Sequence, residues 1–148
     1  MARDLSEEEE DAQQLKLGGG FQRAQCLLNA EVIGILEQRQ HLEENNNQEF
    51  TPTPVFDKSL EYAKRFRKYN NLAAATEARK ELMNRNLEQF EICVIGNLCP
   101  VSAAEAKAIQ ASLPDPYRKD KEGHPDPLSE DDIEKLLTDI AHIRRFNN

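Results

Sequence analysis

The sequence predicts a mainly α protein in two parts: a short strand with a long helix, then a bundle of five helices. Three observations predict it. Apolar residues recur at helical spacing over most of the chain from Phe21 to Ile143. Residues that cap helices stand where these runs begin: Thr53 before Pro54, Asn71, Ser102 and Ser129. Only one segment, Leu15-Lys16-Leu17, alternates with the period of a strand.

The chain opens on an acidic arm, residues 1–11, with Glu7-Glu8-Glu9-Glu10-Asp11 at its end. Such like-charge blocks stay solvated, so the arm is expected to be disordered. Residues 12–44 follow as a strand carrying Leu15 and Leu17, a Gly18-Gly19-Gly20 joint, and a helix over 21–43. Phe21, Ala24, Leu27 or Leu28, Val32, and Ile35 or Leu36 set the helical period. A lone strand is not stable by itself, and no second strand is legible to pair with it. Edge addition to another chain would supply the missing pairing. The polar stretch 45–52 reads as a linker.

Residues 53–148 carry the five-helix bundle. Thr53 caps a helix with Pro54 at its first position, and Phe56, Leu60, Ala63 and Phe66 form its inner face. Asn71 opens a second helix with Leu72, Ala75, Ala78 and Leu82 inward. Asn86 with Gln89 reads as the capping box of a third, over 87–98. Apolar residues cover most of that helix's circumference, which predicts the central, most buried element. Cys99-Pro100 ends it. Ser102 and Glu105 box a short fourth helix with Ala106, Ile109 and Leu113 inward. Residues 114–128, with four prolines and Gly123, are a loop. Ser129 caps the last helix, whose acidic first turn and Arg144-Arg145 end suit the macrodipole.

Composition excludes several functions. Lys and Arg number 19 against 27 Asp and Glu, a net charge of −8. Residues 1–50 hold 4 cations against 11 anions, so nearly all the excess lies in the first third. A uniformly basic nucleic-acid binder needs the opposite balance. Three cysteines, Cys26, Cys93 and Cys99, make no disulfide scaffold and point to a reducing compartment. No run is long and apolar enough to span a bilayer, and no membrane partner is expected.

Candidate chemistry is sparse. His41, His124 and His142 stand in no nucleophile motif, and no metal-ligand spacing joins the cysteines, so neither catalysis nor a cofactor is called for. The triglycine lacks the Lys-Ser/Thr of a phosphate loop. Two surfaces remain. Lys64, Arg65, Arg67 and Lys68 lie between Tyr62 and Tyr69, either as candidate RNA contacts or as the solvated face of a core helix. Leu15, Leu17, Phe21, Leu27, Leu28, Asn29, Glu31, Val32, Ile35 and Leu36 form a candidate partner surface. Folding of that helix back onto the bundle is the alternative.

Several stretches together resemble the family of the fourth subunit of eukaryotic RNA polymerase II, the smaller member of the polymerase stalk. They are 11–18, Leu27-Leu28-Asn29-Ala30-Glu31-Val32, 58–66, 90–100 and 131–140. Phe90-Glu91-Ile92-Cys93-Val94-Ile95-Gly96-Asn97-Leu98-Cys99-Pro100 is the most specific of them. The resemblance runs from about Asp11 to Phe146. It implies an HRDC-like helical bundle and a non-catalytic role. It also implies a heterodimer, the N-terminal strand and helix clamping the barrel-containing seventh subunit beside the RNA exit channel. Further implications are contact with the polymerase core and with nascent RNA, nucleotide binding, support of initiation, and roles in transcript export and decay. The expected location is the nucleus, with shuttling to the cytoplasm. The loop at 114–128 is longer than the family leads one to expect, so nothing is carried onto it.

Overall fold

A computed structural model describes residues 11, 16, 18–21, 24–47, 49–114, 119, 122–124 and 126–146. Its elements are a single helical turn, α1 (Gly18–Phe21), and six longer helices. These are α2 (Asn29–Asn46), α3 (Pro54–Phe66), α4 (Leu72–Met83), α5 (Gln89–Leu98), α6 (Ala103–Ile109) and α7 (Glu130–Phe146). The class is mainly α, as the periodicity predicts. Among the described residues there is no strand. Asp11 and Lys16 form an isolated antiparallel bridge, each N–H donating to the other's carbonyl at 2.9 Å. Leu15 and Leu17 lie outside the described residues, as do residues 1–10 of the acidic arm.

Most caps fall where the sequence places them. The Thr53 hydroxyl accepts from the Phe56 N–H at 3.3 Å and the Asn71 side-chain Oδ1 from the Ala74 N–H at 2.8 Å. Ser129 and Asp132 form a reciprocal box: Asp132 N–H donates to Ser129 Oγ, and Ser129 N–H to the Asp132 carboxylate. Cys99 stops α5 in the left-handed region, with φ of 49°, just before Pro100. α5 departs from the expected start. Its cap is Glu88, whose N–H donates to the Glu91 carboxylate at 2.8 Å. Asn86 instead sits at φ of 54° and donates to Asp126, because asparagine tolerates that backbone region and is free to turn toward the loop.

The largest correction concerns the helix expected over 21–43. α2 begins at Asn29 and runs into the expected linker, to Asn46; residues 24–28 are not helical, and Leu28 is the N-cap. Glu31 supplies the reason, for its carboxylate accepts from the Leu28 N–H at 2.7 Å and so fixes the helix start there. α3, expected in the bundle, lies chiefly against α2. Leu60 and Ala63 meet Ile33, with Phe56, Val32 and Leu36 packed around them, so the two helices share a small core. Phe66 is half exposed because it falls past the end of that contact.

α4 to α7 enclose the main core. α4, not the more apolar α5, is the element that touches α2, α5 and α7. Ala74, Ala75 and Ala78 are its contact residues, and their small side chains let three neighbours approach closely. Leu72 is exposed at its first turn. Ile109, expected inward, is part exposed, while Leu113 reaches the core from the turn after α6.

Two polar groups are buried with their partners. Glu91 is fully inaccessible, accepts from the Ser112 hydroxyl at 2.5 Å, and Ser112 in turn accepts from Gln110 Nε2 at 2.8 Å. The Tyr69 hydroxyl lies 3.6 Å from Cys99 Sγ, both buried. Burial pushes the Tyr69 phenol and the Cys99 thiol up, and pushes the Cys93 thiol from its usual 9.0 to about 11. A thiol whose folded pKa is raised contributes stability that is whole below its unfolded pKa and is lost as pH climbs through the folded one. Thermal melts are therefore expected to be flat with respect to these groups up to about pH 9 and to fall toward pH 11. A melting temperature unchanged across that window would contradict the burial of these groups.

Candidate partner-binding surface

Residues 24–28 approach the bundle as an extended segment and dock by two devices. The first is Leu28, which is fully buried. Its side chain fills the notch left by Gly96 on α5, where a Cβ would come within 2.5 Å of Leu28 Cδ2. The second is Glu31. Arg79 on α4 donates to it through Nε at 2.6 Å and Nη2 at 2.5 Å, and the same Nη2 also donates to the Cys26 carbonyl at 2.8 Å. Both side chains are largely buried, at 11% and 14% exposure. The hydrogen bonds that Arg79 donates to Glu31 hold its guanidinium above its usual pKa, against the opposing effect of burial. Asn29 adds a third tie, its N–H donating to Asn97 Oδ1 at 2.9 Å.

The candidate partner residues thus separate into two groups. Leu28, Glu31, Val32 and Leu36 are engaged by the chain itself, and Asn29 is tied at its backbone. The alternative, that this helix folds back onto its own chain, holds for one side of it: α3 and α4 cover that side, since its apolar residues span two faces. Phe21, Leu27 and Ile35 point outward, at 72%, 37% and 52% exposure.

The sequence does not single out what continues this outward surface. Leu42 on α2 and Val55 and Tyr62 on α3 are exposed as well. Val55, Lys58, Ser59 and Tyr62 face Asn29 and Val32 across an open cleft of about 440 Å³ between α2 and α3. Val55 and Tyr62 fall off the Phe56–Leu60–Ala63 stripe and so carry no periodic signal.

The basic stretch is partly spoken for. Lys64 pairs with Glu37 across the α2–α3 contact at 2.7 Å. Arg65 lies over the Phe66 ring, 5.6 Å from its centroid, and Tyr62 tilts against the same ring at 4.7 Å. Arg67 and Lys68 are exposed beyond the end of α3. Among the described residues no group of His, Cys, Asp and Glu is arranged to hold a metal ion. The three cysteines are free thiols.

Comparison with known proteins assigns this architecture. The family model described as RNA polymerase Rpb4 matches residues 26–144. The chain is 42% identical over 144 residues to DNA-directed RNA polymerase II subunit 4 of Arabidopsis thaliana, covering 95% of this chain and 97% of that one. It is 31% identical over 156 residues to the subunit rpb4 of Dictyostelium discoideum, covering 95% and 93%. To the rpb4 subunit of Schizosaccharomyces pombe it is 28% identical over 142 residues, covering 95% and 96%. Matches of this extent, spanning the docked segment and the whole helical body, establish that the chain belongs to the Rpb4 family, non-catalytic subunits of RNA polymerase II.

Proposed function

We propose that this chain works in the nucleus as a stalk subunit of RNA polymerase II, as one half of a heterodimer with the barrel-containing seventh subunit. The observation that carries the reading is a set of large apolar side chains left exposed among the described residues: Phe21, Leu27, Ile35, Val55 and Tyr62. Phe21 lies on α1, Leu27 on the docked segment and Ile35 on α2, while Val55 and Tyr62 line the α2–α3 cleft, and exposed large apolar groups of this kind mark an interaction surface. Leu15 and Leu17 extend the same surface in sequence, and an edge strand there would add main-chain pairing to the apolar contact. The α4–α7 core, with α2 and α3 across it, is read as an HRDC-like body that presents this surface. Support of initiation and transcript handling follows from a place beside the RNA exit.

A tagged chain is expected to co-purify with the seventh subunit and the polymerase core, identified by mass. The double variant Leu27→Asp/Ile35→Asp changes two exposed positions and leaves the fold intact, so capture should fall about ten-fold or more. Undiminished capture by that variant would place the interface elsewhere, and capture of no polymerase subunit by the parent chain would refute the reading.

A second reading, RNA contact, is favoured by Arg67 and Lys68, both exposed just past the end of α3 that carries the Tyr62 and Phe66 rings. Titration of the same preparation with single-stranded RNA separates the two. Salt-sensitive binding lost on Arg67→Gln/Lys68→Gln supports this contact; absence of binding at low salt removes it.

A further inference from the structure

A second concavity, sharing no lining residue with the α2–α3 cleft, lies between the turn after α5 and the last turns of α7. Its volume is about 410 Å³, within the range of sites that hold a side chain or small ligand. Apolar residues form its wall, notably Val101, Leu137 and Phe146. Val101 is 85% exposed and Phe146 73%, which is unusual for large apolar groups placed together. Its two formal charges, on Arg144 and Arg145, are of one sign. Arg144 and Arg145 line it together with His142, and no Asp or Glu does. On a chain of net charge −8 this is a local inversion.

Arg144 supplies the second observation. Its Nε–H is buried and has no acceptor among the described residues. A buried donor without a partner costs free energy that an arriving acceptor restores. A guanidinium presents several donors in a planar fork suited to a carboxylate, and here it stands beside an apolar wall.

We propose that this cleft is a docking site for an acidic peptide, a segment in which a carboxylate engages Arg144 and Arg145 while a neighbouring bulky apolar side chain seats against Val101 and Phe146. Charge complementarity selects the occupant: the cationic rim repels basic segments, and the apolar wall gives a purely polar acid nothing to bury. The site shares no lining residue with the α2–α3 cleft.

The test uses the full chain and a labelled synthetic peptide in which Asp and Glu alternate with Phe and Leu. Anisotropy should show saturable binding that weakens as salt rises. Replacing the acids by Asn and Gln should weaken it about ten-fold, and so should Arg144→Gln/Arg145→Gln. Because Arg144 approaches the core, Val101→Asp provides an independent variant: it alters only a solvent-exposed wall residue, adds a repelling charge, and should cost a similar factor. Circular dichroism melts identify any variant that has lost the fold. Three outcomes would overturn the proposal: no binding of the acidic peptide at low salt, equal binding of the amide peptide, or full binding by a folded Val101→Asp chain. Displacement of the peptide by single-stranded RNA with equal potency would overturn it too, by reassigning the cations to phosphate.

Discussion

Leu28→Ala is expected to destabilise the chain by about 4 kcal/mol, within the range of about 2–5 kcal/mol for a fully buried leucine truncated in a packed site. The cost should sit toward the upper part of the range because the site cannot collapse. Leu28 rests on Gly96 and beside Leu82, and the helix backbones that carry them are held by the rest of the main core. Filling the notch from the other side tests the same contact. Gly96→Ala would place a Cβ within 2.5 Å of Leu28 Cδ2 and within 3.3 Å of Leu82 Cδ1, so one of those side chains must shift. Urea denaturation followed by circular dichroism measures both. A loss under about 1 kcal/mol for Leu28→Ala would mean that residues 24–28 are not seated on the bundle.

Arg79→Met carries the second large effect. It leaves the Glu31 carboxylate largely buried with its guanidinium partner gone, a change that typically costs about 3–5 kcal/mol. For a chain of this size the melting temperature should drop by on the order of 10 °C. The penalty belongs to the stranded charge and not to the pair as such. Glu31→Leu combined with Arg79→Met should therefore recover much of the loss, and a double-mutant cycle should return a coupling well above that of a surface ion pair. Additive single effects would show that the two side chains do not meet. Both substitutions act on one joint, so either should loosen the outward display of Leu27 as well.

Much of the helical scaffold is legible in the sequence because its signals are local. Thr53, Asn71 and Ser129 cap the helices they precede, since a cap acts on N–H groups two or three residues away. The face of α7 follows directly from Ile133, Leu136, Leu137, Ile140 and Ile143. What the sequence conceals is longer in range. Arg79 stands within Glu77-Ala78-Arg79-Lys80-Glu81, a run that reads as solvated charge, and its partner Glu31 is 48 positions away. α4 is the hub through small alanines, which contribute little to an apolar stripe, while the richer α5 draws the eye. The candidate surface was legible in part. Phe21, Leu27 and Ile35 face outward, but Leu28 and Leu36 belong to the same helical period and turn inward, because period alone does not say which of two apolar faces a neighbour will take.

The fully buried Glu91 gives the Pro-rich connection an unusual freedom. Through Ser112 and Gln110 it clasps the chain just before Pro114, and Asn86 with the Ser129–Asp132 box secures it again from Asp126 onward. Both shores of the crossing are moored to the helical body independently of what spans them. Because the entropy of closing a loop rises only with the logarithm of its length, the bridge between those moorings is free to grow or shrink over generations at little thermodynamic penalty.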